Sequence, residues 1–213
     1  MSLAQKLTAV AENTPKVYEA GKAWVFQHVT QPPGMFYKAQ FPAGSALTVE
    51  LPHVLGNLAE MFRLVSGLRW LKLTVPTDQA YRMYYLAYYS QNLEELWLPE
   101  GIRAKDFQFF VSRCQSLRRV EGTLDLTEST NNSNCFSDCP ALQEVRFAPG
   151  SIRRSLSFRD SDKLSAETVA SILAGLGDVS DGETQTLQLH AHIRATLTAD
   201  QLAALTAKNW VLE

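Results

Sequence analysis

Three cysteines and one closely spaced pair of histidines are the residues in this chain best suited to do chemistry. Cys135-x-x-x-Cys139 offers two zinc ligands, but no second Cys/His pair at finger spacing follows. His190-Ala-His192 puts two imidazoles on one face if the segment is a strand. It has no third ligand nearby in sequence, and a solvated strand end is expected. A cysteine nucleophile needs a histidine and an exposed, electropositive setting, whereas the repeat described below buries Cys114 and Cys139. There is no Gly-rich phosphate loop, no H-E-x-x-H and no G-x-S-x-G. The expectation is a chain that is not an enzyme, with no catalytic residue, no metal and no cofactor.

The elements that position these residues follow a repeat. Phe136-Ser-Asp-Cys139-Pro-Ala-Leu142-Gln-Glu-Val145-Arg-Phe147 reads F-x-x-C-x-x-L-x-x-V-x-F, a turn leading into an alternating apolar strand. Related phrases run through Cys114–Val120, Ser90–Leu98 and Phe62–Leu73, with leucine anchors at 68, 93, 117 and 142. Steps of 25, 24 and 25 residues between these anchors mark a solenoid, in which each repeat contacts only its neighbours. Cys114 and Cys139 hold the same place in successive repeats and should stack about one strand spacing, roughly 4.8 Å, apart. Three cysteines with no export signal read as reduced thiols. Two small buried residues are expected at 114 and 139, although an oxidising setting would allow a bridge.

Composition narrows the partners. The 213 residues carry a net charge of -2 with 20 Lys+Arg against 22 Asp+Glu, and no basic face for a polyanion follows from that balance. No nucleic acid and no membrane partner is expected. The N-terminus lacks the apolar core of a secretory signal, and no run approaches a membrane helix. Cytosolic synthesis is therefore expected, or export by a route that leaves no signal here.

Residues 2 to about 21 read as a helix capped by Ser2 and Gln5, its apolar stripe formed by Leu3, Leu7, Val10 and Ala11. That stripe serves either as a lid on the first repeat or as a self-association or attachment surface. Gln31–Gly34 is expected to turn, Phe36–Phe41 to form a strand that Pro42-Ala-Gly44 ends, and Leu47–Leu51 to be a degenerate first repeat strand. Tyr81, Tyr84, Tyr85, Tyr88 and Tyr89 fall at helical spacing. They predict a helix on the outer side, either packing or offering a tyrosine recognition surface. Residues 128–134 form a polar loop, and Asn131-Asn-Ser133 is a glycosylation sequon on paper. Toward the end, Ser155–Phe158 is a strand, Ser165 caps a helix to about Gly175, Thr186–Leu189 is a strand on which the two histidines follow, and Thr198-x-x-Gln201 is a capping box with Leu202 and Leu205 inward. Trp210–Leu212 is a last strand.

On the strands, buried leucines alternate with outward residues, and the outward ones should stack across repeats. One ladder is Trp70, Glu95, Arg119, Glu144; the other is Lys72, Trp97, Glu121, Arg146. Beyond the tryptophans the signs alternate, which avoids like charges in register. Trp70 and Trp97 are large aromatics on a face with no core beneath it, and tryptophan is enriched in interface hot spots. Three readings stand: a partner-binding patch, coverage by the N-terminal segment, and plain exposure.

The unit F-S-D-C-P-A-L-Q-E-V resembles the F-x-x-C-x-x-L-x-x-I unit of BspA-like leucine-rich repeats across residues 47 to 165, with Ser90 and Val65 standing for the cysteine in other copies. Residues 3–22 and 164–213 look like the two ends of leucine-rich proteins in phage and prophage genes of gut Firmicutes. The resemblance implies a right-handed α/β solenoid and a role on a virion tail or in host contact. Expected, then, is a parallel sheet on one face, short helices and turns on the other, and helical caps. The segments are 1–22 (helical), 23–60 (N-terminal cap and degenerate repeat), 61–164 (leucine-rich repeats) and 165–213 (C-terminal α/β cap). The partner is expected to be a protein or a glycan. A structural subunit that oligomerises through residues 2–21 and an exported surface adhesin are the alternatives.

Overall fold

In the computed structural model, residues 23–213 are described; the expected N-terminal helix, its cap at Ser2 and its self-association stripe lie outside them. The fold is mixed α/β, with a curled, wholly parallel sheet and few helices, consistent with a solenoid-like chain path. Strands β1 (Ala23–Val25), β2 (Gln40–Glu50), β3 (Ser66–Thr74), β4 (Ala80–Arg82), β5 (Glu95–Trp97), β6 (Ile102–Asp106), β7 (Arg119–Asp125) and β8 (Glu144–Phe147) form one sheet. Its order is β1-β2-β3-β5-β7-β6-β4, with β8 also on β7. Leu47 lies beside Leu71, Leu71 beside Leu96, and Leu96 beside Val120. One coil of chain, 24 or 25 residues, thus separates neighbouring strands. The inward residues are buried and join one apolar cluster reaching from Trp24 to Trp210. A spine of rings runs through it, with Phe36 stacked on Phe62 (5.1 Å), Phe107 on Phe110 (4.2 Å) and Phe136 on Phe158 (4.8 Å).

The wall opposite the sheet departs from expectation. Tyr81 is a buried residue of β4, and residues 84–89 form turns, not a helix. Tyr85 and Tyr89 have positive φ (55° and 61°), which ends any α-helix. Their N–H groups donate forward, to the carbonyls of Gln108 (3.0 Å) and Ser112 (2.9 Å) in the next coil. Left-handed residues recur in two columns: Gly34, Glu60, Tyr85, Phe109, Asn134, and Lys38, Leu64, Tyr89, Arg113, Asp138. Two such positions four residues apart bring residues outward at 84, 85, 88 and 89, which imitates a helical stripe. The same geometry replaces the expected strand at Phe36–Phe41: residues 33–38 turn, and β2 starts at Gln40. Nor do Pro42-Ala-Gly44 end that strand; β2 absorbs them with register shifts on either side of Ser45.

Ser90, Cys114 and Cys139 share one structural role. Each is buried and donates to a carbonyl of the preceding coil: Ser90 Oγ to Phe62 (2.8 Å), Cys114 Sγ to Ala87 (3.0 Å), Cys139 Sγ to Val111 (3.3 Å). A small side chain with one donor fits there, so serine and cysteine are interchangeable.

The sheet stops at β8 because a helix takes the place of the next strand. Helix α1 (Ala166–Gly175) is capped by Ser165 as expected, with Val169 and Ile172 buried. Its Thr168 and Ser171 hydroxyls accept from the N–H groups of Val145 (3.2 Å) and Phe147 (3.0 Å), closing an edge that would otherwise be unpaired. Thr168 is 2% exposed, so Thr168→Val should strand the Val145 N–H and cost about 1–3 kcal/mol by urea unfolding. A value within experimental error of wild type would mean that the edge is closed some other way.

A second parallel sheet, β11-β10-β9, follows, from β9 (Leu156–Phe158), β10 (Gln185–Leu189) and β11 (Trp210–Leu212). Helix α2 (Ala191–Arg194) begins at His190, so the two histidines are a helix cap and a first-turn residue, not neighbours on a strand. Helix α3 (Ala199–Ala207) carries the Thr198/Gln201 capping box. Leu205 is buried as expected, but Leu202 is 41% exposed because α3 packs on one narrow stripe. Residues 128–134 form no helix or strand, as expected of the polar loop. Ser129 and Asn132 are buried and bonded to each other (2.7 Å).

Candidate macromolecule-binding face

Strand alternation places Trp70 and Lys72 of β3, Glu95 and Trp97 of β5, Arg119 and Glu121 of β7, and Glu144 and Arg146 of β8 on the outer side of the sheet. The first ladder is in backbone register throughout, Trp70 to Glu95 to Arg119 to Glu144. The second is in register from Lys72 to Trp97 to Glu121. It then slips: Arg146 lies opposite Thr123, because β7 bulges between Arg119 and Thr123. The Arg146 side chain still reaches back to Glu121, at 3.0 Å.

The face has two unlike ends. At the β7–β8 end, Arg119 meets Glu144 (2.8 Å) and Glu121 (3.4 Å), and Arg146 completes the chain of alternating signs. The Glu144 hydrogen bond raises the Arg119 pKa further. Each pair is solvated and worth only about 0.2–1 kcal/mol. At the β3–β5 end the indoles of Trp70 and Trp97 lie 6.0 Å apart, tilted at 49°, both half-buried. Trp97 Nε1 donates to Glu95 (3.0 Å), which fixes its ring. Lys72 is exposed and has no ion pair among the described residues. The far end is thus internally neutralised, while the near end combines two oriented indoles with an uncommitted ammonium. Such a patch can take a planar or apolar group against the rings and an acceptor against Lys72.

Sequence reasoning missed two members of the face. Ala46 lies beside Trp70 and Thr48 beside Lys72 on β2. Their 24-residue offset from positions 70 and 72 was the available signal. Ala46 presents only a methyl group on that flank of Trp70.

The other candidate groups are placed elsewhere. Cys114, Cys135 and Cys139 are free thiols, fully buried. Burial pushes the Cys114 pKa up to about 12 and raises those of Cys135 and Cys139 as well. In the folded protein they are held as neutral thiols by burial. His190 Nδ1 accepts from the His192 N–H at 3.3 Å. Among the described residues no cluster of metal-ligating side chains occurs, and no helix is long and apolar enough to cross a membrane. No protein-family model, curated protein or solved structure matches the chain.

Proposed function

We propose that this chain is a non-enzymatic binding scaffold of the BspA-like leucine-rich-repeat kind, which holds a protein or glycan partner on its sheet face. In this reading residues 61–164 are the repeats, and residues 165–213, with α1 and the second sheet, are the C-terminal cap. The observation that carries the reading is the Trp70–Trp97 pair: two half-buried indoles 6.0 Å apart, outside the apolar core and beside Lys72, which has no ion pair among the described residues. Solvating two indoles on a strand face offers the fold nothing that smaller β-formers would not supply. A place on a phage particle, as the resemblance implies, would put tail genes beside this one.

The test is binding to a glycan array and to a displayed protein library, with wild type and the Trp70→Ala/Trp97→Ala variant compared on every ligand found. Hot-spot tryptophans cost about 2 kcal/mol or more when truncated, near 30-fold in affinity. The double variant should lose that much with its melting temperature almost unchanged. Equal binding of every ligand by both proteins would rule the face out.

A further inference from the structure

The turn wall carries a second feature that the sheet face does not explain. Tyr85, Tyr89 and Phe109 are bulky residues at positive φ (55°, 61° and 51°), a conformation that L residues with large side chains avoid. In the same two columns other coils use Gly34, Asn134 and Asp138, which suit it, but also Lys38, Glu60, Leu64 and Arg113, so the left-handed turn belongs to every coil. None of the three rings is buried in the core; Tyr89 is 37% exposed and Tyr37, nearby, 43%. The chain therefore places several aromatic rings side by side on the solvent side of these turns.

The rings form a rigid array. Tyr85 stacks on Phe109 (4.8 Å, 10°), and Tyr88 stands edge-on to both (5.1 and 6.0 Å). The Arg63 guanidinium lies over Tyr85 (4.9 Å), Tyr88 (5.5 Å) and Tyr37 (5.6 Å), and Lys38 lies over Tyr37 (5.1 Å). One face each of Tyr37, Tyr85, Tyr88 and Phe109 thus meets another ring or a cation. Stiff, amphipathic tyrosines beside cations suit a protein-binding surface of the paratope type. The charges specify the partner. Arg63 pairs with Glu60 through one terminal nitrogen (2.7 Å), while its buried Nε has no acceptor among the described residues. Lys38 is exposed and has no ion pair among them. Both cations share the Tyr37 ring.

We propose that this tyrosine wall is a second docking surface, distinct from the sheet face, for a protein segment that presents carboxylates beside apolar side chains. The carboxylate sits over Lys38 and Arg63 at Tyr37, and the apolar groups lie along Tyr88 and Tyr89.

The test uses the full chain and a random dodecapeptide display library, with the selected peptides measured by fluorescence anisotropy. Expected are acidic, apolar-containing peptides whose affinity falls at least about tenfold in both Tyr89→Asn and Lys38→Glu. Trp70→Ala/Trp97→Ala should leave it unchanged, which separates this surface from the one proposed above. Because asparagine suits positive φ, Tyr89→Asn should melt at or above the wild-type temperature, so lost binding cannot be ascribed to misfolding. The proposal is overturned if no peptide is selected, if the peptides lack acidic residues, or if they bind the two wall variants as well as wild type. It is also overturned if only neutral oligosaccharides bind the wall, or if light scattering shows that the wall pairs with a second copy of this chain.

Discussion

Made alkaline beyond pH 9, the protein is expected to lose stability steeply, by about 1.4 kcal/mol per pH unit for each buried thiol. Burial raises the folded pKa of Cys114 from 9.0 to about 12 and those of Cys135 and Cys139 in the same direction. In the unfolded chain these thiols ionise near their ordinary values. Between the two values the folded state holds protons that the unfolded state has released, so rising pH favours unfolding. The contribution is intact below the unfolded pKa and disappears as pH climbs toward the folded one. Tyr81, fully buried with its hydroxyl donating to the Pro76 carbonyl (2.7 Å), joins the loss because burial moves its pKa from 10.0 to about 12. Three thiols together give roughly 4 kcal/mol per unit, enough to unfold a domain of ordinary stability within a few pH units. The control is Cys114→Ser. Ser90 holds the equivalent position with a donated bond of 2.8 Å, so serine should keep the Ala87 carbonyl satisfied. Urea titrations at several alkaline pH values should show a slope lower by about 1.4 kcal/mol per unit in this variant. An unchanged slope would mean that the thiol at 114 already titrates normally in the folded protein.

Gly67→Ala and Gly122→Ala should be the most damaging single substitutions. Gly67 (φ 76°) and Gly122 (φ 90°) sit where successive coils cross at backbone distance. A Cβ on Gly122 would lie 2.5 Å from the Leu98 carbonyl oxygen and 3.0 Å from that of Pro99; one on Gly67 would overlap the Phe41 carbonyl. Backbone cannot swing aside as a side chain can, so the coils must separate or the bulges in β2 and β7 must be lost. The expected cost exceeds about 4 kcal/mol, with little soluble protein recovered. Gly101 (φ 69°) has nothing within 4 Å of its added Cβ, so Gly101→Ala should show only the positive-φ penalty of about 1–2 kcal/mol. Similar melting temperatures for all three variants would contradict the crossing geometry.

The parts of the fold legible in the sequence are those that side-chain alternation and hydroxyl chemistry encode. The registers of β2, β3, β5 and β7 followed from leucine spacing, and the Ser165 cap and the Thr198/Gln201 box followed from residue type. The turn wall was not legible, because residues in left-handed turns four apart imitate helical periodicity, and Tyr85, Tyr89 and Phe109 are not residue types that announce positive φ. The end of the first sheet was equally hidden. Nothing in Thr168 or Ser171 alone says that their hydroxyls replace a strand. On the candidate face, the ladders were legible up to the slip at Gly122, whose need for positive φ depends on a carbonyl 24 residues earlier. One signal was readable and passed over. Arg69–Glu94, Arg103–Glu128 and Arg113–Asp138 are ion pairs whose members lie 25 residues apart, the step at which the ladders had already set Arg119 beside Glu144 and Glu121 beside Arg146. A scan for opposite charges at the repeat step would have found them.

The central claim, that a partner is held over Trp70 and Trp97, is tested most directly by oxidative footprinting of the indoles in the free protein and with the tightest array ligand bound. Trp24 (7% exposed) and Trp210 (3%) serve as buried references. The prediction is that Trp70 and Trp97 oxidise readily in the free protein and become protected together when the ligand saturates, while the references do not change. Undiminished oxidation of both at saturation would contradict the claim.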